Sequence, residues 1–383
     1  MKVTVVQHYG DFMLLESRWN ALVDSLEHPA IYLTHTWMRL WWEHFHGQDS
    51  LYIFLVWEEG DLVGILPLRR MFFRRFKLLH VPGFSFLTNP NNPSSNIICS
   101  LQKLPKVVKA ICDHLECCKA TWDRIEMKNV PSDSGTVAPL VEGLAGAKSV
   151  AVVSPWQEKD GAYYLEIHGS FSDYFKSLSP SFRQNRRYIH NVMVRNAKVE
   201  FTVEKEYDPT SLRRLYDIED TGWKHAKGKP LKTHGVYGSY FIDMAKQFAN
   251  LGWLRICSLR YAGEIIAMVY GLVFRDTFYF IKLAVDYDNP ATRRIGPGQV
   301  IQYYLLQHCF ESGYRKSDFF GGCDPYEAHW TKMIDRRVRI TIYNQKGLLQ
   351  KAWFYFWESA AYYLRVLRIA SRADQVSKQR FDL

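Results

Sequence analysis

No apolar run in this 383-residue chain approaches the ~20 residues that a helix needs to cross a bilayer,. The opening stretch, Met1–Gly10, has no secretion-signal hydrophobic region, so a cytoplasmic location is expected,. Cysteines number seven (99, 112, 117, 118, 257, 309, 323), an odd count without disulfide-like spacing,. Cys112, His114, Cys117 and Cys118 fall in one helical run, 104–119, without a paired Cys-x-x-Cys knuckle. Reduced structural thiols and no metal site are therefore expected. Acidic residues are also short, 39 against 49 Lys and Arg, and the resulting charge of +10 favours anionic partners such as nucleotides, acidic lipids or RNA,. Hydrophobic residues make up 47 % of the chain, which excludes wholesale disorder, and its length suggests two domains,.

What is present is a loop at 293–299, Arg-Arg-Ile-Gly-Pro-Gly-Gln, between a strand-like run, 277–288, and a helix-like run, 299–311,. A strand that breaks at glycines and reopens as a helix leaves backbone N–H groups unpaired at the positive end of the helix dipole. Those donors, with Arg293 and Arg294, make a seat for a pyrophosphate. Pro297 contributes no donor. No Gly-Lys-Ser/Thr follows, which excludes a P-loop. A third glycine and a later acid are missing, which makes a poor dinucleotide fingerprint.

The chain also repeats itself. Leu51 to Pro67 aligns without a gap to Leu254 to Tyr270, and each reads as strand, glycine turn followed by an acid, and strand,. An aromatic helix precedes each, 36–46 and 237–249, and a strand opens each copy, 3–7 and 199–203. The order strand, helix, helix, hairpin thus occurs twice. The second copy continues as strand 277–288, glycine loop, helix 299–311, strand 316–320, helix 326–334 and strand 337–343. No such loop opens the helix at Leu104 in the first.

Arg293-x-x-Gly296-x-Gly298 resembles the acyl-CoA pyrophosphate loop of the GNAT acyltransferase superfamily. With Asp318-Phe-Phe-Gly-Gly-Cys-Asp324-Pro-Tyr326 and Trp330, the chain is similar to tandem-GNAT acyltransferases associated with cellulose and exopolysaccharide synthesis, a group related to Fem-type transferases. The resemblance is specific across 254–343. It departs at Glu327, where relatives commonly carry lysine. It implies an α+β fold of two GNAT-like domains, with mostly antiparallel twisted sheets flanked by helices. Residues 1–165 form the first, degenerate at the cofactor loop; 166–347 the second, with the acyl-CoA loop; 348–383 a helix and tail.

The resemblance further implies that Arg293, Arg294, Ile295, Gly296, Gly298 and Gln299 hold acetyl-CoA or another acyl-CoA, with a backbone N–H near Leu283 to Val285 facing the thioester oxygen. Tyr326 is then the first candidate for protonating the departing thiolate, since a phenol's pKa near ~10 keeps it protonated at neutral pH. Asp286, Asp318, Asp324 and His329 are alternative bases beside water, although acids at such positions also serve turns, and Asp324 before Pro325 equally suits a helix cap.

A basic stripe, Arg183, Arg186, Arg187 and His190, shares one helix face, while Phe182, Ile189 and Met193 line another. It suits phosphates of a cofactor or acceptor, and equally a solvated face. Trp223 and Lys224 match a Trp-Lys pair in relatives, and the resemblance implies a place for them in the lining of the acceptor cleft. The aromatic, basic segment 348–368 suits packing on the second domain or contact with the inner membrane face. The function expected is acyl transfer from acyl-CoA to an amine or hydroxyl of a sugar or surface-polymer precursor. The alternatives are a Fem-type aminoacyl-tRNA-dependent transferase, with tRNA as partner, and a non-catalytic scaffold in polysaccharide assembly.

Overall fold

The structure, a computed structural model, describes residues 1–75, 79–88, 94–145, 150–157, 161–221, 235–289, 295–321 and 325–344. Trp223, Lys224, Arg293, Arg294, Asp324 and the segment 348–368 lie outside the described residues.

In the first half, β1 (Lys2–Val6) leads into helices α1 (Tyr9–Met13), α2 (Glu16–Asp24) and α3 (His35–Phe45). The hairpin β2 (Ser50–Glu58) and β3 (Asp61–Arg75) follows, then β4 (Leu79–Phe86), α4 (Leu104–Cys117), β5 (Arg124–Pro131), α5 (Val137–Ala145) and β6 (Val150–Gln157). In the second half, β7 (Ala162–Glu166), α6 (Phe171–Ser177) and α7 (Pro180–Asn196) precede β8 (Val199–Glu204). Next come α8 (Pro209–Glu219), α9 (Gly235–Asn250), the hairpin β9 (Leu254–Tyr261) and β10 (Glu264–Phe274), β11 (Thr277–Val285) and α10 (Pro297–Glu311). Short strands β12 (Lys316–Asp318) and β13 (Ile334–Asp335) precede β14 (Arg337–Asn344).

Each half builds a seven-stranded sheet, and the orders correspond position by position: β1-β2-β3-β4-β5-β14-β6 against β8-β9-β10-β11-β12-β7-β13. Pairing is antiparallel except for β4 with β5 and β11 with β12. The repeated hairpins turn alike. Glu59 and Gly60 have φ of 53° and 96°, and Ala262 and Gly263 have 53° and 84°. Two successive positive φ values are the tight-turn geometry that follows the strands' right-handed twist, and glycine adopts it without a Cβ penalty.

The sheets correct the domain boundaries. β7, allotted by sequence to the first domain up to residue 165, is wedged between β12 and β13 of the second sheet. β14, read as the last strand of the second copy, is wedged between β5 and β6 of the first. The halves have exchanged equivalent strands. Ile340 and Ile342 of β14 are fully buried in the first core, among Phe54, Phe84, Ile111 and Trp122. Leu165 of β7 is buried in the second, with Phe278, Ile301 and Trp330.

A third core joins the halves, with the equivalent helices α3 and α9 packed on one another. Thr34 caps α3 by accepting from the Trp37 N–H at 3.4 Å, and the helix then presents Trp37 and Trp41 inward,. Trp37 stacks on Phe248 at 6.1 Å and meets Phe320 edge-on at 5.5 Å. Polar contacts at the rim, His44 to Asp243 at 3.1 Å and Arg39 to Gln247 at 3.3 Å, fix the register of the two helices.

His35 lies fully buried between Phe12 and Trp19, with its Nε2 3.0 Å from the Phe12 carbonyl. Burial holds its pKa below the ordinary value,. The depressed folded-state pKa means that the unfolded chain takes up the proton first. This contribution to stability is full above about pH 6.5 and declines as pH falls below it. Urea melts at about pH 7.5 and pH 5.5 should show lower stability at the acid end, and His35→Gln should lose less between them.

Candidate active site at the start of helix α10

The site begins where β11 parts from its neighbour. β11 pairs with β12 only over Thr277–Tyr279, opposite Lys316–Asp318. Its remaining residues run on, while the other chain turns at Phe320, whose φ is 58°, after the Phe319 N–H has bonded the Tyr163 carbonyl of β7. Along the other edge of β11, Lys282 faces Tyr270 and Phe280 faces Gly271, so Ile281 is an unopposed bulge residue,. The bulge kinks the strand at the point of parting. In the first half β4 ends at Phe86, one residue past its last pairing with β5, and no comparable overhang forms among the described residues.

β11 feeds the glycine loop. Gly296 is left-handed, with φ 63° and ψ 64°, and Pro297 opens α10 with its preset φ, two residues earlier than the sequence periodicity suggests,. The Gln299 and Val300 N–H groups bond the Gly296 carbonyl at 3.0 and 3.3 Å. Among the described residues, nothing accepts from the N–H groups of Ile295, Gly296 or Gly298. A Cβ on Gly298 would lie 3.3 Å from Leu283 Cδ2 and 3.6 Å from Val285 Cγ2, so glycine lets the helix start approach the end of β11. Three donors, a helix dipole and a bare backbone are the requirements of a diphosphate seat.

Gln299 departs from its expected role. Its amide is taken, its side-chain Nε2 donates to the Tyr326 carbonyl at 3.3 Å, and its Oε1 accepts from Trp330 Nε1 at 3.0 Å. Trp330 is further held by Tyr174, whose hydroxyl donates to its carbonyl at 2.6 Å, and by Phe182, edge-on at 4.9 Å. This hub explains why the helix expected over 326–334 is absent. Only a 3-10 turn, Glu327–His329, forms before the Thr331 hydroxyl bonds the Tyr164 carbonyl at 2.7 Å and the chain extends to pair with β7. Gln299→Leu leaves the buried Trp330 indole without its acceptor. It should cost about 1–3 kcal/mol in a urea melt.

The candidate acids and bases do not assemble together. Tyr326 and His329 stand at the hub, with His329 exposed and stacked flat on Phe182 at 5.1 Å. Glu327, where the resemblance puts lysine, is buried. Asp286 serves a turn, its Oδ1 accepting from the N–H groups of Asp288 and Asn289 at 3.2 Å each. Asp318 is buried, accepts from the Phe320 N–H at 2.9 Å and sits 3.5 Å from Lys316 Nζ. It faces the strand crossing, where burial first and the Asp318 charge second push the Asp335 carboxyl up, against the pull of Arg337.

Sequence reasoning missed an ion pair beside the bulge, formed on the buried carboxylate of Glu219. Lys282 Nζ lies 3.0 Å from Oε1 of Glu219, at the end of α8, whose start is capped by Asp208 through the Thr210 and Ser211 N–H groups. The signal was available, since Lys282 is the one charge in Thr277–Val285. It also misplaced Arg186, which lies on the core-facing row of α7 with Phe182, Ile189 and Met193 rather than on a separate basic face.

Among the described residues, no cluster of His, Cys, Asp or Glu could hold a metal ion, and no helix is long and apolar enough to cross a membrane. No curated protein matches the sequence. Three of the solved structures that share the fold illustrate the likeness. FemX has a TM-score of 0.59 at 13 % identity, covering 89 % of this chain and 97 % of its own. A protein of unknown function from Bacteroides thetaiotaomicron VPI-5482 has 0.53 at 12 %, covering 89 % and 99 %. The C-terminal DUF2156 domain of an Agrobacterium fabrum protein named for lysylphosphatidylglycerol synthetase has 0.51 at 12 %, covering 90 % and 95 %. Residues 180–328 match the family model of the acetyltransferase (GNAT) domain, a span holding α7, the bulged β11, the glycine loop and the Trp330-facing turn. The mixed α+β chain, with its two twisted sheets flanked by helices, has the GNAT fold.

Proposed function

We propose that the second half is an acyltransferase that takes an acyl group from acetyl-CoA or a longer acyl-CoA and passes it to an amine or hydroxyl of a sugar or cell-surface polymer precursor. The observation that carries this reading is the set of unbonded N–H groups at Ile295, Gly296 and Gly298, beside a strand that has left its neighbour. The donor supplies a thioester carbonyl already activated for attack. The chain's own contribution is to hold and orient. The three N–H groups take the diphosphate, with Arg293 and Arg294 in the same loop, and Leu283 and Val285 line the approach. The bulge at Ile281 turns the backbone of β11 toward the reacting carbonyl.

Tyr326, fixed through its carbonyl by Gln299, is the proton donor to the departing sulfur,. Asp286 and Asp318 are engaged in local structure, which leaves exposed His329 or water to take the acceptor's proton. The Lys282–Glu219 pair lies beside the bulge and forms the acceptor-side wall, with Trp223 and Lys224 following α8 in sequence.

A calorimetric titration with acyl-CoAs of increasing chain length tests the reading, followed by thiol release with candidate amino and hydroxyl sugars. Saturable binding of at least one acyl-CoA is expected. If none binds, the acyl-CoA reading fails. The aminoacyl-tRNA alternative then rests on the +10 charge and the arginines of α7,.

A further inference from the structure

We propose that Arg186, with Arg183 one turn before it, is the seat for a phosphate carried on the ribose of the donor nucleotide; this deepens the acyl-CoA reading and rests on it. Arg186 stands in a row whose other members, Phe182, Ile189 and Met193, all pack on the second core. Its guanidinium carbon lies 5.4 Å from the centre of the Phe182 ring. Two of its nitrogens, Nε and Nη1, are shut off from water without a hydrogen-bond partner, and so is Nε of Arg183. The remaining nitrogen, Nη2, donates only to its neighbour Asn185, at 2.6 Å.

A purely structural arginine in an apolar row is paired with a carboxylate or carbonyls, because unpaired buried donors are costly. No acidic side chain among the described residues pairs with Arg183, Arg186 or Arg187. The missing partner is an anion that the described residues do not supply.

Its position says which anion. Phe182, under the Arg186 guanidinium, lies edge-on to Trp330, and Trp330 is tied to Gln299 in the first turn of α10. The unpartnered nitrogens are therefore at the same end of α10 as the diphosphate seat, two rings away. Both bidentate edges of a guanidinium include Nη2, so a phosphate taken two oxygens at a time would replace Asn185 on Nη2 and add Nε or Nη1,. Beyond the diphosphate of a nucleotide donor, the next negative charge is a phosphate on the ribose. CoA carries one as a 3′-monoester, and the end of a tRNA carries them as diesters.

The test compares CoA with 3′-dephospho-CoA by calorimetry on the full chain, for wild type and for Arg186→Met, which keeps an unbranched side chain in the apolar row. CoA should bind wild type about 10- to 100-fold more tightly, the scale of charge-assisted hydrogen bonds. Arg186→Met should erase the difference and leave dephospho-CoA affinity within about twofold. Arg186→Lys, which keeps the charge and loses the fork, should retain part of it. Equal binding of both ligands by wild type, or a preference that persists in Arg186→Met, overturns the seat and leaves the acyl-CoA reading standing. If neither ligand binds, that reading falls and deacylated tRNA decides. Salt-sensitive binding weakened about tenfold or more by Arg186→Met keeps the phosphate seat. Binding unaffected by the substitution, or none, overturns it.

Discussion

Gly298→Asp is expected to raise the Kd for acyl-CoA by roughly 100-fold or more, about 2.7 kcal/mol, while the protein remains folded. The substitution places a carboxylate at the helix end where three N–H groups await an anion, so the new charge both occupies the donors and repels the diphosphate. The fold should tolerate it. Gly298 is not one of the positive-φ glycines, and its added Cβ meets the far end of the Leu283 side chain at 3.3 Å. An acidic residue in the first turn of a helix is itself stabilising by about 0.3–1 kcal/mol. Calorimetry and a thermal melt on the same sample separate the two effects. Gly298→Ala, with the Cβ and no charge, should fall between wild type and the aspartate. Undiminished affinity in Gly298→Asp would place the donor elsewhere.

Ile340→Ala should destabilise the first half by about 2–5 kcal/mol, although Ile340 follows the whole second half in the chain,. The residue is fully buried between β5 and β6, so its truncation leaves a cavity in a core built, apart from β14, from residues before 150. The strand exchange adds a second expectation. The first sheet needs β14 and the second needs β7, so neither half can complete its core while the other segment is free. Urea unfolding followed by tryptophan fluorescence and by far-UV circular dichroism should give coincident single transitions in wild type and in Ile340→Ala. Two separated transitions, with only the earlier one moved by the substitution, would show that the halves are energetically independent despite the exchange.

The parts of this architecture written in local chemistry are legible in the sequence. Both hairpins are announced by an acid after a turn glycine, and both turns hold two successive positive φ values. The glycine loop is announced by Gly296-Pro-Gly298, where a left-handed residue and a proline define the start of α10. Choices made by distant partners are not legible. Nothing within Arg337–Asn344 says which of two similar sheets it will join; its place is set by the vacancy between β5 and β6 and by Ile340 and Ile342 fitting that core. The turn at 327–329 has the composition of a helix start, and only the grip of Gln299, Tyr174 and Phe182 on Trp330 ends it. The charge of Arg186 groups it with a basic stripe, whereas its spacing from Phe182, Ile189 and Met193 places it on the core-facing row.

The most direct measurement of the central claim is the amide response of the loop itself. With 15N-labelled glycine, isoleucine and valine, the N–H signals of Ile295, Gly296 and Gly298 should shift and gain protection from hydrogen exchange on titration with CoA. Val300, already bonded to the Gly296 carbonyl in the free protein, provides the comparison and should change little. Signals at 295, 296 and 298 that stay in place at saturating CoA, or protection that appears only elsewhere in the chain, would contradict a diphosphate seat at the start of α10.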